Sequence, residues 1–239
     1  MNKRINNDNS DTQSLLISYL TIRKSVGMLA VFLPVVLVIG TIIIGKCCNI
    51  QDSISDYYYT VMGNYFVGTL CAVALFLFSY NGYDKQDRLS SILACIFALG
   101  IAFFPTSMSD PESLCNINSR NSSSFISTIH YTSAGLFFID LAYISFWLFT
   151  KSSGNYTPQK IKRNKVYKLC GYLIVLSIVL IALYHIPFIH SEFQKYKPVI
   201  YLETIALWAF GFSWLTKGEF LLKDEKADKK GEYKNETQG

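Results

Sequence analysis

Charge is scarce in this chain: only 16% of its 239 residues are Asp, Glu, Lys or Arg, against about 25% in an ordinary soluble domain. With 51% hydrophobic residues and a mean hydropathy of +0.26, that deficit leaves no room for a separate soluble domain of ordinary size. A secretory signal is missing as well. The first apolar block begins near Val26, after a polar, Asn-rich segment from Met1 to Asp11, so no cleavage is expected. No cysteines have the paired short spacing of a zinc site, and His185 and His190 stand five apart with Pro187 between them, which fits no metalloprotease motif. No internal repeat is evident, and no cofactor is expected.

Apolar residues instead fall in blocks at 26–44, 65–80, 89–104, 126–149, 169–184 and 199–215. Each approaches the roughly 20 residues that a helix needs to cross the hydrocarbon core. The expected fold is all-α: a polytopic transmembrane helix bundle of about six spans. Residues 1–25 read as a cytosolic tail with a short interfacial helix at 15–22, residues 26–216 as the membrane domain, and residues 217–239 as a charged cytosolic tail. Pro34 is expected to kink the first span.

Of the 22 Lys and Arg, only Lys46, Arg120, Lys195 and Lys197 fall on the side opposite the termini. The positive-inside bias therefore orients the bundle N-in and C-in. The same bias explains the net charge of +5 without nucleic acid, and leaves membrane lipids as the expected partners, with a homo-oligomer as a further option. The charged turns around Asp84 to Arg88, Lys162 to Lys165 and Lys217 to Glu219 could meet. They read first as orientation signals and lipid anchors, and second as a regulatory anion site.

The costliest residue is Asp140, near the middle of the fourth span, where it needs a partner inside the protein or a proton. A 100° helical turn places Ser133 on nearly the same face, with His130 and Tyr143 to either side. This polar stripe reads as interhelical hydrogen bonding or as a ligand pocket or ion path. Asp52, Ser53, Ser55, Asp56, His185, His190 and Glu203 converge on the same outer level. Asp56, His130, Ser133, Asp140 and Glu203 are the candidate ligand-binding residues. Along the last span Gly211 provides a small residue where a neighbour can approach. Tyr57, Tyr58 and Tyr59 read as an aromatic belt at the headgroups.

Cys71, Cys95 and Cys170 behave as small apolar residues. In an oxidising outer compartment Cys47 or Cys48 could bridge to Cys115. Asn121-Ser122-Ser123 fits a glycan acceptor that matters only in a eukaryotic host.

The segments Ser53 to Thr60, Tyr65 to Leu70, Arg163 to Tyr167 and Ser213 to Glu219 resemble a family of bacterial six-span membrane proteins without an assigned activity. The resemblance covers Ser18 to Glu219 and implies a fold, a bacterial host and residence in the cytoplasmic membrane. Asp140 departs from the neutral residue expected in that family. The alkaline-ceramidase and progestin-receptor superfamily fits poorly, because it expects seven spans and paired histidines in the last helices.

Three readings fit these residues. The first is an outer-facing pocket that binds a lipid or small amphiphile. The second is a metal-dependent membrane lipid hydrolase, with histidine ligands and an acid as general base. The third is a channel or transport element in which Asp140 lines a water or proton path.

Overall fold

The computed structural model describes the backbone of residues 2–82, 84–108, 115, 117, 123–152 and 157–222, with side chains from residue 18 onward. Pro111, Asn116, Asn118, Asn121 and Ser122, and with them the glycan triplet, lie outside the described residues, as does the charged tail beyond Leu222.

Every regular element among the described residues is helical. In order these are α1 (Asn2–Ile43), a 3-10 helix (Ser55–Tyr59), α2 (Gly63–Phe78), α3 (Lys85–Phe103) and α4 (Ser124–Tyr143), which continues as a π-helical turn (Ile144–Leu148). Then come α5 (Pro158–Tyr184), α6 (Pro187–Phe193), a 3-10 turn (Gln194–Tyr196) and α7 (Pro198–Lys217). Five stretches are long and apolar enough to cross a membrane: Ser18–Ile43 of α1, α3, α4 with its π turn, α5 and α7. The apolar α2 is shorter, at 16 residues. Phe32, Ile43, Leu75, Phe103, Ile139 and Trp147 are 52 to 69% exposed on these helices. Water penalises so much apolar surface, whereas lipid does not. The fold is that of an all-helical membrane protein.

Two elements differ from the sequence expectation. The interfacial helix at 15–22 is not separate, because α1 runs unbroken through Arg23, Lys24 and Pro34. The basic stretch from Lys160 to Lys168, expected as a connection, belongs to α5. There the Thr157 side chain accepts from the Lys160 N–H, and Pro158 occupies the first turn, where its missing donor costs nothing. A short apolar window hides such a start, since lysines are good helix formers wherever water can reach them.

The long helices pack in a closed order, α1, α2, α3, α4, α5, α7 and back to α1. One end of this ring gathers the basic residues. Arg23 donates to the Lys217 carbonyl at 3.3 Å and to the Tyr80 hydroxyl at 3.4 Å. Lys160 and Lys217 both donate to the Phe149 carbonyl, at 3.0 and 3.4 Å. Ammonium and guanidinium groups thus sit on the carbonyls that end α4 and α7, where the helix dipoles favour positive charge. Lys151 pairs with Asp84 at 2.7 Å and Asp87 at 3.2 Å, and Arg163 with Glu219 at 3.9 Å. The Lys151 hydrogen bond holds the Asp84 carboxyl below its ordinary pKa. The second and third charged turns therefore meet through Arg163 and Glu219, and the first is tied to the start of α5 through Lys151, whose carbonyl accepts from Lys160 at 2.9 Å. Trp214, fully buried beside them, packs edge-on against Tyr80 and Phe149.

Candidate functional site

At the opposite end, several bonds hold the segment between α1 and the 3-10 helix. A disulfide joins Cys47 to Cys115 with Cα atoms 5.5 Å apart, leaving Cys48 exposed and free. Lys197 donates to the Ile50 carbonyl at 2.6 Å and pairs with Asp52 at 3.0 Å. The Ile200 N–H donates to the Asp52 carbonyl at 3.1 Å, and the Ile54 N–H to Glu203 Oε2 at 2.6 Å. The start of α7 thus fixes Asp52 and Ile54 from both sides of Ser53.

His130, on α4, is 2% exposed and uses both ring nitrogens: Nδ1 lies 2.7 Å from the Phe104 carbonyl oxygen, and Nε2 lies 3.0 Å from Ser55 Oγ. A carbonyl can only accept, so Nδ1 carries the proton. In the neutral ring Nε2 then accepts from the Ser55 hydroxyl. Phe104 is itself placed by the connection that follows α3. The Tyr59 hydroxyl donates to the Thr106 carbonyl, and Thr106 Oγ1 donates to the Tyr131 hydroxyl at 2.8 Å.

These groups border a cavity of about 720 Å³ between α4, α5 and α7, within the roughly 300–1,000 Å³ usual for ligand sites. Its polar end carries Asp52, Ser53, Ser55, His130, Lys197 and Glu203; His185 and His190 also line it, and both are exposed. Its apolar end is formed by Ala134, Gly135 and Phe138 of α4 with Ile178 and Ile181 of α5. From His130 to Phe138 the helix advances about 12 Å. The cavity therefore changes from hydrogen-bonding to hydrocarbon-like walls over the length of a short acyl chain.

Of the sequence candidates, the structure brings His130 and Glu203 together here. Asp56 is buried in the first turn of the 3-10 helix, where its N–H donates to Ser53 Oγ at 3.1 Å, and it does not line the cavity. Ser133 faces α3 instead: its Oγ would clash with a Cβ at Gly100, so it marks a close crossing of α3 and α4. Asp140 lies about 15 Å further along α4 from His130. It accepts a hydrogen bond from Ser90 of α3 and lines neither this cavity nor a shallower groove between α3 and α4. This is the partner that a carboxyl in a span requires. Tyr57 and Tyr59, expected at the headgroups, are 1% exposed each because the 3-10 helix packs into the bundle. Burial also raises the Tyr57 phenol above its ordinary pKa.

A purely interhelical role for Asp140 has a measurable consequence. Asp140→Asn keeps an acceptor for Ser90 and is expected to melt with the wild type, whereas Asp140→Ala loses one interhelical bond, about 0.6–1.7 kcal/mol. Thermal unfolding in a single detergent separates them, and equal melting of all three proteins would remove that role.

Among the described residues no group of three or more His, Cys, Asp and Glu side chains could hold a metal ion. The sequence places Ser55 and Lys197 at the outer level without giving either a role in the site, and it carries no sign of the Phe104 carbonyl. Ser55 and His130 are 75 residues apart, and no periodicity links them. No protein-family model, curated protein or solved structure matches the chain.

Proposed function

We propose that the chain is a six-span protein of the bacterial cytoplasmic membrane, oriented N-in and C-in, whose outer-facing cavity binds a lipid or small amphiphile. One observation carries the reading: a single cavity joins a hydrogen-bonding end to an apolar end. A polar headgroup fits the first and an alkyl chain the second. The basic end of the ring faces the cytosol in this arrangement, where the positive-inside effect favours it. α2 completes the sixth crossing: its 16 residues span about 24 Å as a helix, and local thinning of the bilayer or tilt of its neighbours accommodates the shortfall.

Gly135 offers a direct test. It lines the apolar end of the cavity, and a Cβ built there has nothing within 4 Å, so a larger side chain enters open space. Gly135→Leu is expected to fold normally, with a melting temperature no lower than wild type because glycine in a helix costs about 1 kcal/mol relative to alanine. It should retain at least tenfold less co-purified lipid, measured by mass spectrometry of solvent extracts. Full retention would refute the pocket.

A further inference from the structure

We propose that Ser55 and His130 are a nucleophile and its general base, and that the cavity hydrolyses the carboxylic ester of an amphiphile. The proposal rests on the amphiphile-binding reading above and gives that ligand a chemical class.

The geometry meets the requirements of such a pair. Ser55 Oγ lies 3.0 Å from His130 Nε2, and the other ring nitrogen is fixed by a third group, the Phe104 carbonyl, at 2.7 Å. A nucleophile in reach of a base that is itself oriented is the arrangement that activates a hydroxyl. The tautomer follows from the third group: with the proton held on Nδ1, Nε2 is left to take the serine proton. The hydroxyl is also held in place. The residues leading into Ser55 are anchored, Ile54 by Glu203 and Asp52 by Lys197 and the Ile200 N–H, and such fixing confines a reacting group to a near-attack position. Both partners line the cavity, where the imidazole is almost closed to bulk water and the hydroxyl is half-buried. An alkyl chain lying on Gly135 and Phe138 brings a carbonyl attached to it toward His130, one to two helical turns away on α4.

The reaction balances with water as the only co-reactant. Ser55 Oγ forms a bond to the ester carbonyl carbon as its proton passes to Nε2. The carbon–oxygen bond to the alcohol then breaks, and the alcohol leaves with that proton. Water attacks the acyl-serine, gives a proton to Nε2, and the carboxylic acid departs as Ser55 Oγ takes the proton back. The third member is a neutral carbonyl and not a carboxylate, so the imidazolium is less stabilised than in a triad with an acid and turnover should be slow.

The test uses purified full-length protein in detergent with dodecyl fluorophosphonate and the decanoyl ester of 4-methylumbelliferone. Wild type is expected to gain one phosphonyl group on Ser55, located by peptide mass spectrometry, and to hydrolyse the ester. Ser55→Ala should lose both, and His130→Asn should slow labelling by about 10²–10⁴-fold. Gly135→Leu should lose decanoyl-ester hydrolysis while an ethyl fluorophosphonate, which needs no apolar wall, still labels Ser55. If wild type shows no adduct on Ser55 while Gly135→Leu still depletes bound lipid, the chemistry is overturned and the binding reading stands. If Gly135→Leu keeps its lipid in full, the binding reading fails and this proposal fails with it.

Discussion

Gly211→Val is expected to destabilise the protein by about 3 kcal/mol, the upper part of the usual cost of overpacking. The size follows from what the new atoms would meet. A Cβ at Gly211 lies 2.6 Å from Val31 Cγ2 and 2.9 Å from the Gly27 carbonyl oxygen; a Cβ at Gly27 lies 2.8 Å from the Gly211 carbonyl oxygen. The two glycines thus face each other where α1 crosses α7, and each would strike the other's backbone. A side chain can rotate away from a clash, but a helix backbone can only move as a whole. Opening the crossing would also stretch the bond from Trp208 Nε1 to the Val31 carbonyl, now 3.0 Å. Gly68→Ala is the control, because a Cβ there meets nothing within 4 Å, and it should be neutral or slightly stabilising. Thermal unfolding of the three proteins in one detergent decides: if Gly211→Val melts together with Gly68→Ala, α1 and α7 do not cross at these residues. The effect should reach the cavity too, since α7 carries Glu203 and follows Lys197, which hold the segment of Ser55.

The Gly211 crossing was legible in sequence because a glycine on an apolar face has few other uses in a bilayer. The apolar blocks were legible for a related reason: lipid satisfies no backbone polar group, so a crossing segment must be both helical and apolar throughout. That constraint ends at the membrane surface, and the errors collect there. The Lys160 to Lys168 stretch of α5 is helical in a region where composition no longer reports structure. The Tyr57 to Tyr59 segment matched an interfacial belt in composition, yet it turns inward to support the connection after α3. For Asp140 the need for a partner was readable but not its identity, because Ser90 stands on a different helix, 50 residues away. The candidate site depends even more on the fold. His130 acquires its meaning from a backbone carbonyl at Phe104 and a serine ahead of α2. A carbonyl carries no sequence signature, and the serine is one of many.

Cys47→Ser is expected to cost about 2 kcal/mol and to loosen the polar end of the cavity. The bridge closes 68 residues of chain, for which loop-closure entropy in a free chain gives about 4 kcal/mol. Much of that loop is α2 and α3, apolar helices that a bilayer would keep helical when tertiary contacts are lost, so the freedom released is smaller. The segment that gains it runs from Cys47 toward Ser55, still held by Lys197 and Glu203. Lipid retention should therefore fall by a few fold, without being abolished. Cys48→Ser, which removes an exposed free thiol, should change neither stability nor retention. Thiol counting under denaturing conditions checks the bridge itself: of the six cysteines, only the four free ones, Cys48, Cys71, Cys95 and Cys170, should react with maleimide before reduction. In Cys47→Ser, the released Cys115 should react as a fifth without reductant. The same count tests the orientation, because a bridge formed in the cell requires that this end of the ring face an oxidising compartment. If all six thiols of protein from native membranes react before reduction, both the staple and the outward placement of the cavity fail together.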